Sequence, residues 1–356
     1  MLAALPLRGS VEDALKTVNA IGREGQGNEA ASVAWQEIVR AGPAVLPQVL
    51  AAVGTGTPVA DNWLRLAGDT VVSNALRAKQ PLPLSEVRAF LEQTSHPAPG
   101  RQLAFDLLQR ADPAQADALV PAFIHDPVQE LRRGAVQRVI DSAKMAKGSD
   151  AAKPLWLQAL EAVRDEDQTR LVAGELNALG APVDLAKQFG FVMKWDVVGP
   201  FENKERTGFE KVFPPEKEIR LDATYEGAGK PVKWRPFTST DDYGKIDLNK
   251  PLGMLKEVTG YAVTTFDSPT EREAEIRLGC KDAWKIWVNG EFLFGRDEYH
   301  RGQQMDQYKL KCHLRKGANT ILVKCCQNEQ KEEWTVEWEF QLRVCDSAGT
   351  AILSGK

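Results

Sequence analysis

The chain has 356 residues, 43% of them hydrophobic and 26% charged, with a formal net charge of -4. That length exceeds a usual single domain, so two domains are expected, each able to bury a core. The balance shows neither the basic footprint of a nucleic-acid binder nor a polybasic membrane patch, and no apolar run approaches the ~20 residues of a membrane span. Nucleic-acid partners and membrane insertion are therefore not expected. The opening stretch 1–7 is too short, and lacks the basic lead, for a complete signal peptide, and compartment stays open.

Residues 10–190 carry amphipathic helical periodicity broken by Gly, Pro and Asp. Gly42-Pro43 precedes a helix over 44–53, and a second follows over 63–72. Further helices are predicted over 84–93, 100–110, 115–124, 129–145, 154–164 and 166–179, the last stopping at Gly180. An internal echo runs through them. His96-Pro97 precedes Arg101, Ala104 and Leu107-Leu108; His125-Asp126-Pro127 precedes Arg132-Arg133, Ala135 and Val139-Ile140. A helix, an Asp-Pro turn and a second helix at about this period is the signature of stacked helical repeats. The pattern resembles HEAT-like repeats, which implies an α-solenoid able to grip a protein partner. Arg101, Arg132 and Arg133 are expected to serve packing and capping within the repeats in preference to a ligand ridge. His96 and His125 fall at turns.

From Lys194 the periodicity changes to two. Strands are predicted over 195–201, 218–225, 232–237, 260–266, 273–280, 308–314, 321–326 and 334–345. Between them Asn289-Gly290 separates two alternating runs, which marks a type I′ hairpin. In the last segment Trp334, Val336, Trp338, Phe340, Leu342 and Val344 alternate with Thr335, Glu337, Glu339, Gln341 and Arg343, so one buried face and one wet face are expected. Gly227-Ala228-Gly229-Lys230 lacks the full phosphate-binding pattern and reads as a turn. Many short strands with turn signals indicate an all-β sandwich or jelly roll over 191–356. The join around Gly190 is apolar and short, without a Ser/Gly-rich linker, so docked halves are expected.

Several of these residues carry a second resemblance. Trp195 with Gly199-Pro200-Phe201, then Leu278-Gly279, Asp282, Trp287-Val288-Asn289-Gly290, and Leu314 through Gly317, Asn319 and Ile321-Leu322-Val323-Lys324 are similar to the galactose-binding-like jelly-roll domains attached to glycosidases. Helical repeats followed by such a module also resemble bacterial HEAT-repeat proteins. The resemblance covers about 194–353 and implies a non-catalytic carbohydrate-binding or packing module. Fold analogy alone does not carry function.

The five cysteines, Cys280, Cys312, Cys325, Cys326 and Cys345, form an odd set without zinc-ligand spacing. They read as reduced, buried, small hydrophobes. Cys312 and Cys325 share a strand phase, but a hairpin centred near Gly317 places Cys312 opposite about residue 322, out of reach of Cys325. No metal or other cofactor is expected.

The candidate ligand-binding residues are Trp287, Arg296, Asp297, Tyr299, His300, Arg301 and Asp306. Trp287 lies on the strand face opposite Trp284, Ile286 and Val288. It is either a stacking platform for a sugar or a packing residue under a loop or second sheet. The loop 295–306 is rich in polar groups. Arg301 could grip a ligand or pair with Asp306 to pin the loop. The adjacent carboxylates Asp297 and Glu298, like Asp241 and Asp242, do not face one bond across the ~5–9.5 Å that glycoside hydrolysis needs, and no nucleophile elbow is present. The expectation is a non-catalytic glycan-binding protein. A protein-interaction scaffold and, last, a hydrolase are the alternatives.

Overall fold

A computed structural model describes residues 10–355; the opening stretch 1–7 lies outside them. The chain divides between Val163 and Arg164 into two compact units. The first is helical. It runs through α1 (Val11–Asn19), α2 (Asn28–Ala41), α3 (Leu46–Ala52), α4 (Pro58–Ala78), α5 (Leu84–Glu92), α6 (Ala98–Ala111), α7 (Pro113–Leu119), α8 (Gln129–Met145) and α9 (Ala152–Ala162). Starts are set by local chemistry. Ser10 forms a capping box with Asp13 at α1, Thr57 caps α4 ahead of Pro58, and Asp112 caps α7 ahead of Pro113. Helices adjacent in sequence pack together, α1 on α2, α3 on α4, α5 on α6 and α8 on α9, around a core that includes Val18, Ile38, Leu50, Leu64, Leu91 and Leu108.

The sequence echo has a physical counterpart. Arg101 of α6 is 1% exposed. Its Nη1 and Nη2 donate to the two carboxylate oxygens of Asp126, each at 2.7 Å, and its Nε donates to Leu91 O at 2.8 Å. Asp126 Oδ1 also accepts from Val128 N, and Asp126 O accepts from Arg132 Nη1. One guanidinium thus ties the end of α5 to the turn entering α8. Arg101 and Arg132 take the packing role the sequence suggests. His96 stacks on Phe90 with ring centroids 3.8 Å apart.

The second unit opens with α10 (Glu166–Ala178) and α11 (Leu185–Phe189) and continues as antiparallel sheet. Its strands are β1 (Lys194–Glu202), β2 (Thr224–Glu226), β3 (Pro231–Lys233), β4 (Arg235–Thr238), β5 (Ile246–Asp247), β6 (Val258–Ser268), β7 (Arg272–Cys280), β8 (Ala283–Val288), β9 (Glu291–Arg296), β10 (Tyr308–Leu314), β11 (Gly317–Gln327) and β12 (Glu339–Cys345). One-turn helices α12 (Pro214–Lys217) and α13 (Asn249–Leu252) interrupt them. Six strands form one sheet in the order β4-β1-β6-β11-β8-β9, four form a second in the order β10-β7-β12-β5, and β2 and β3 pair separately. Trp195, Ile276, Leu278, Trp284, Ile286, Val323, Phe340 and Leu342 from both large sheets share one core. Asn289 (φ 53°) and Gly290 (φ 82°) close the β8–β9 turn with the left-handed pair the sequence predicts.

The structure departs from the sequence reading in five respects. The strand expected over 218–225 is mostly coil following α12, and only Thr224–Glu226 pairs, with Pro231–Lys233, across the turn at Gly227–Lys230. The strand over 232–237 breaks at Trp234, which anchors a second apolar layer with Phe201, Phe213, Tyr261 and Leu322 on the outer face of the six-stranded sheet. The segment from Trp334 is not continuous strand: Glu333–Thr335 is a 3-10 turn and pairing starts at Glu339. The expected wet face of β12 is buried, with Glu339, Gln341 and Arg343 at 9%, 4% and 2% exposure, because β12 lies inside its sheet with covering chain on its outer side. Finally, β10 pairs with β7 and not with β11; Cys312 stands opposite Ala274. The turn at Gly317 carries the chain between sheets, so strand phase could not place Cys312 relative to Cys325.

Asp126→Ala, which strands Arg101 in the core, is expected to destabilise the first unit by roughly 3–5 kcal/mol. Chemical denaturation followed by helical circular dichroism measures this.

Candidate functional site

The seven residues singled out by sequence do not converge. Trp287 is half-buried on the outer face of the six-stranded sheet. It packs against the Trp234–Tyr261–Leu322 layer and lies 5.6 Å from the ring of Phe292. Arg296 and Arg301 both reach Glu298, at 3.0 and 3.5 Å, which occupies that carboxylate. Asp297 is pushed up by burial and by Glu210. Tyr299 turns inward against Phe209, Ala283 and Cys326; its hydroxyl accepts from Asn203 Nδ2 at 3.1 Å, and Arg206 lies over its ring.

His300 also points inward. Its Nδ1 lies 3.1 Å from Asp282 Oδ1 and its Nε2 2.8 Å from Asn328 Oδ1. Burial works against a charged imidazole here, but Asp282 and Asn328 outweigh it and raise the His300 pKa above its ordinary value. Asp282 and His300 thus pin the start of the loop from within. The motif residue Asp282 is a structural anchor that the sequence marked without revealing its partner.

The other end of the loop is held differently from expectation. Asp306 pairs with Arg277 and Arg343 and not with Arg301. Asp306 Oδ1 accepts from Arg343 Nε at 2.7 Å, and Oδ2 accepts from Arg343 Nη2 at 2.5 Å and Arg277 Nη1 at 2.8 Å. Glu275 completes the group by accepting from Arg277 Nε and Nη2. Residues 277 and 343 face each other across β7 and β12; the alternation that puts Ile276, Leu278, Leu342 and Val344 in the core puts both arginines on the outer face. Burial disfavours the Asp306 charge, yet the two guanidinium groups hold its carboxyl below the usual range. Gly279 completes the seat. A Cβ there would come within 2.4 Å of Gln304 O, so only glycine lets the loop rest on β7.

What this anchoring builds is a cavity of about 520 Å³ on the outer face of the four-stranded sheet, lined by Glu166, Arg170, Tyr243, Lys245, Gln303, Gln304, Met305 and Gln341. Gln341, oriented by its surroundings, donates to Tyr243 O at 3.0 Å and accepts from Met305 N at 3.2 Å, so it bridges the two walls. Lys245 pairs with Glu339 at 2.8 Å. Arg170 lies 5.9 Å from the Tyr243 ring centroid. Both amide atoms of Gln303 are buried without a protein partner, leaving one acceptor and a two-hydrogen donor in a single plane. A larger groove of about 610 Å³, lined by Asp184, Lys187, Met193, Lys194, Thr265 and Leu353 among others, has no such unmet group.

Sequence reasoning singled out the loop carrying Gln303 to Met305 but missed Glu166, Arg170, Tyr243, Lys245 and Gln341. The one available signal was the polar row of β12, whose Gln341 points at this face. The others come from a helix and a turn far away in the chain.

No family model matches the chain, and no curated protein matches it significantly. Among solved structures it is similar to an anti-sigma factor domain-containing protein (18% identity, TM-score 0.25, 34% of this chain and 41% of that one). It is also similar to a beta-glucosidase from Kluyveromyces marxianus in complex with glucose (12%, TM-score 0.20, 25% and 11%) and to the GH31 alpha-xylosidase from Xanthomonas citri (12%, TM-score 0.20, 33% and 15%). The chain spans less than half the length of each of these. Among the described residues no group of three or more metal-ligating side chains occurs, and no helix is long and apolar enough to cross a membrane.

Asp306→Asn is expected to destabilise the second unit by roughly 3–5 kcal/mol near neutral pH, since it removes the counter-charge of the buried Arg343 and leaves Arg277 with Glu275 alone. The folded pKa of Asp306 is depressed, so its contribution is present above the unfolded value of about 3.9 and disappears as pH falls through the folded one. Urea unfolding of both proteins at stepped pH should show the gap closing in acid.

Proposed function

We propose that the second unit is a non-catalytic carbohydrate-binding module of the galactose-binding-like jelly-roll type. Its ligand occupies the cavity under loop 303–305, with the first unit acting as a HEAT-like solenoid. The observation that carries the reading is the Gln303 amide. An unmet buried donor and acceptor costs on the order of 1–3 kcal/mol. Both atoms are closed off from solvent, so the ligand meets them with a pair of neighbouring hydroxyls once the Gln303 side chain swings into the cavity. The rest of the lining agrees in chemistry: an amide-bridged floor at Gln341, the charged groups Glu166, Arg170 and Lys245, and a half-buried Tyr243. The volume of about 520 Å³ is that of a small-ligand site. A polyhydroxylated ligand uses such a surface better than an apolar one.

The non-catalytic part of the reading rests on the carboxylates. Glu166 is the one acid among the described residues lining the cavity, whereas glycoside hydrolysis works with two facing one bond. The position of Trp287 supports a packing role for it and moves the proposed site to the opposite sheet.

A glycan array probed with the full chain, followed by titration calorimetry on the best oligosaccharide, tests this. Gln303→Ala is expected to weaken binding about tenfold, the equivalent of roughly 1.4 kcal/mol, while circular dichroism stays unchanged. Trp287→Ala should leave affinity intact. A blank array, or full affinity in a folded Gln303→Ala protein, would sink the assignment; turnover of the oligosaccharide would sink its non-catalytic part.

A further inference from the structure

Cys280 and Cys325 approach each other across the core of the second unit. Cys280 ends β7 in the four-stranded sheet and Cys325 sits in β11 of the six-stranded sheet. Their Sγ atoms are 3.7 Å apart, and the two residues are 2% and 0% exposed. Both belong to the shared apolar core. Alternation turns Cys326 and Cys345 away from this pair, while Cys312 shares the core but sits on a different strand. Cys326 faces the other side of β11, against Phe209 and Tyr299. Cys345 sits on β12 opposite Glu275, on the outer face. Cys312 lies on the edge strand β10 opposite Ala274.

We propose that Cys280 and Cys325 are the site of an inter-sheet disulfide, which forms when the chain folds in the presence of a small disulfide oxidant such as oxidised glutathione. The sulfurs need to close by under 2 Å to reach the bonding distance of about 2.05 Å. The two sulfurs belong to small side chains on different sheets, so the closure falls to rotation about their Cα–Cβ bonds. The chemistry is two successive exchanges. One cysteine thiolate attacks the oxidant's S–S bond, giving a mixed disulfide and one free small thiol. The second cysteine attacks the protein sulfur of that mixed disulfide, forming the Cys280–Cys325 bond and releasing the second small thiol. The two protons lost by the protein end on the two small thiols, so the oxidant is reduced as the protein is oxidised.

Burial sets when this happens. In the folded protein neither sulfur is reachable, and the Cys325 thiol, hydrogen-bonded to Cys280 and desolvated, is held well above its ordinary pKa. Attack requires an accessible thiolate. The bond therefore forms before the sheets close on each other, and once formed it is shielded from reductant by the same core. It ties residues 45 positions apart, a span that contains β8 to β10 and the loop bearing Gln303.

The test uses the full chain, unfolded and reduced, then refolded with or without a reduced/oxidised glutathione buffer. Free thiols are alkylated, and peptides are mapped by mass spectrometry without reduction. The expected result is loss of two of the five thiols, one peptide pair joining Cys280 to Cys325, and a higher Tm for the oxidised protein. Cys325→Ala should abolish the link. A variant carrying Cys312→Ala, Cys326→Ala and Cys345→Ala together should retain it. Five free thiols after refolding, a dominant link through Cys312, Cys326 or Cys345, or a lower Tm for the linked form would overturn the proposal. If native protein treated with the same buffer oxidises as fast as refolding chain, the shielding argument fails with it.

Discussion

One carboxylate between two guanidinium groups governs the face of the second unit on which the proposed ligand sits. Asp306 is nearly buried, and its charge is stable there only because Arg277 and Arg343 meet it from adjacent strands. Such an arrangement is a poor source of net stability, since desolvation of three charges offsets much of their attraction. It is a strong source of position. A loop that must bring Asp306 to that point, and whose Gln304 carbonyl needs the space left by Gly279, has little freedom elsewhere. Gln303 and Met305 are set down beside Gln341 as a consequence.

The same logic recurs on the opposite sheet. Lys324 is fully buried, yet its ammonium is satisfied by Phe209 O, Lys211 O and the Glu216 carboxylate, within 2.8–2.9 Å. Glu216 also accepts from the Tyr261 hydroxyl. The segment between β1 and β4 is thereby stitched over the outer face of the six-stranded sheet, with Phe201, Phe213 and Trp234 beneath it. Both sheets are two-sided in their burial. On each, an apolar inner face makes the core and buried charged groups on the outer face fasten a covering segment, on the six-stranded sheet together with a second apolar layer. Stability and placement are thus divided between the two faces of every central strand.

That division explains what could and could not be read from the residues. Local chemistry was legible. The helix at Gln129–Met145 and the strand at Tyr308–Leu314 were expected at those bounds, and Asn289-Gly290 announced its turn. The change of periodicity near Lys194 separated helical from sheet structure, although α10 and α11 join the later unit. Failures came where a pattern was right but its surroundings were not visible. The alternation in β12 correctly sorted Phe340, Leu342 and Val344 from Gln341 and Arg343, but whether the polar side meets water or a covering loop depends on chain brought from elsewhere. A turn between β10 and β11 looks the same whether it joins partners in one sheet or crosses between two. The candidate cavity was half legible, since its loop was singled out, while Tyr243 and Arg170 reach it only through the tertiary fold. The pairing suggested for Arg301 with Asp306 does not form: Asp306 is held by Arg277 and Arg343, and Arg301 lies against Glu298.

Because the proposed site depends on a loop held at Asp306, hydrogen–deuterium exchange of the full chain with and without the Asp306→Asn substitution examines the claim most directly. The account requires faster exchange confined to residues 301–307 and the facing part of β12, with the amides of β6 and β11 as slow as before. Unchanged protection of the loop in the variant would contradict it, because something other than the two arginines would then be holding the cavity in shape.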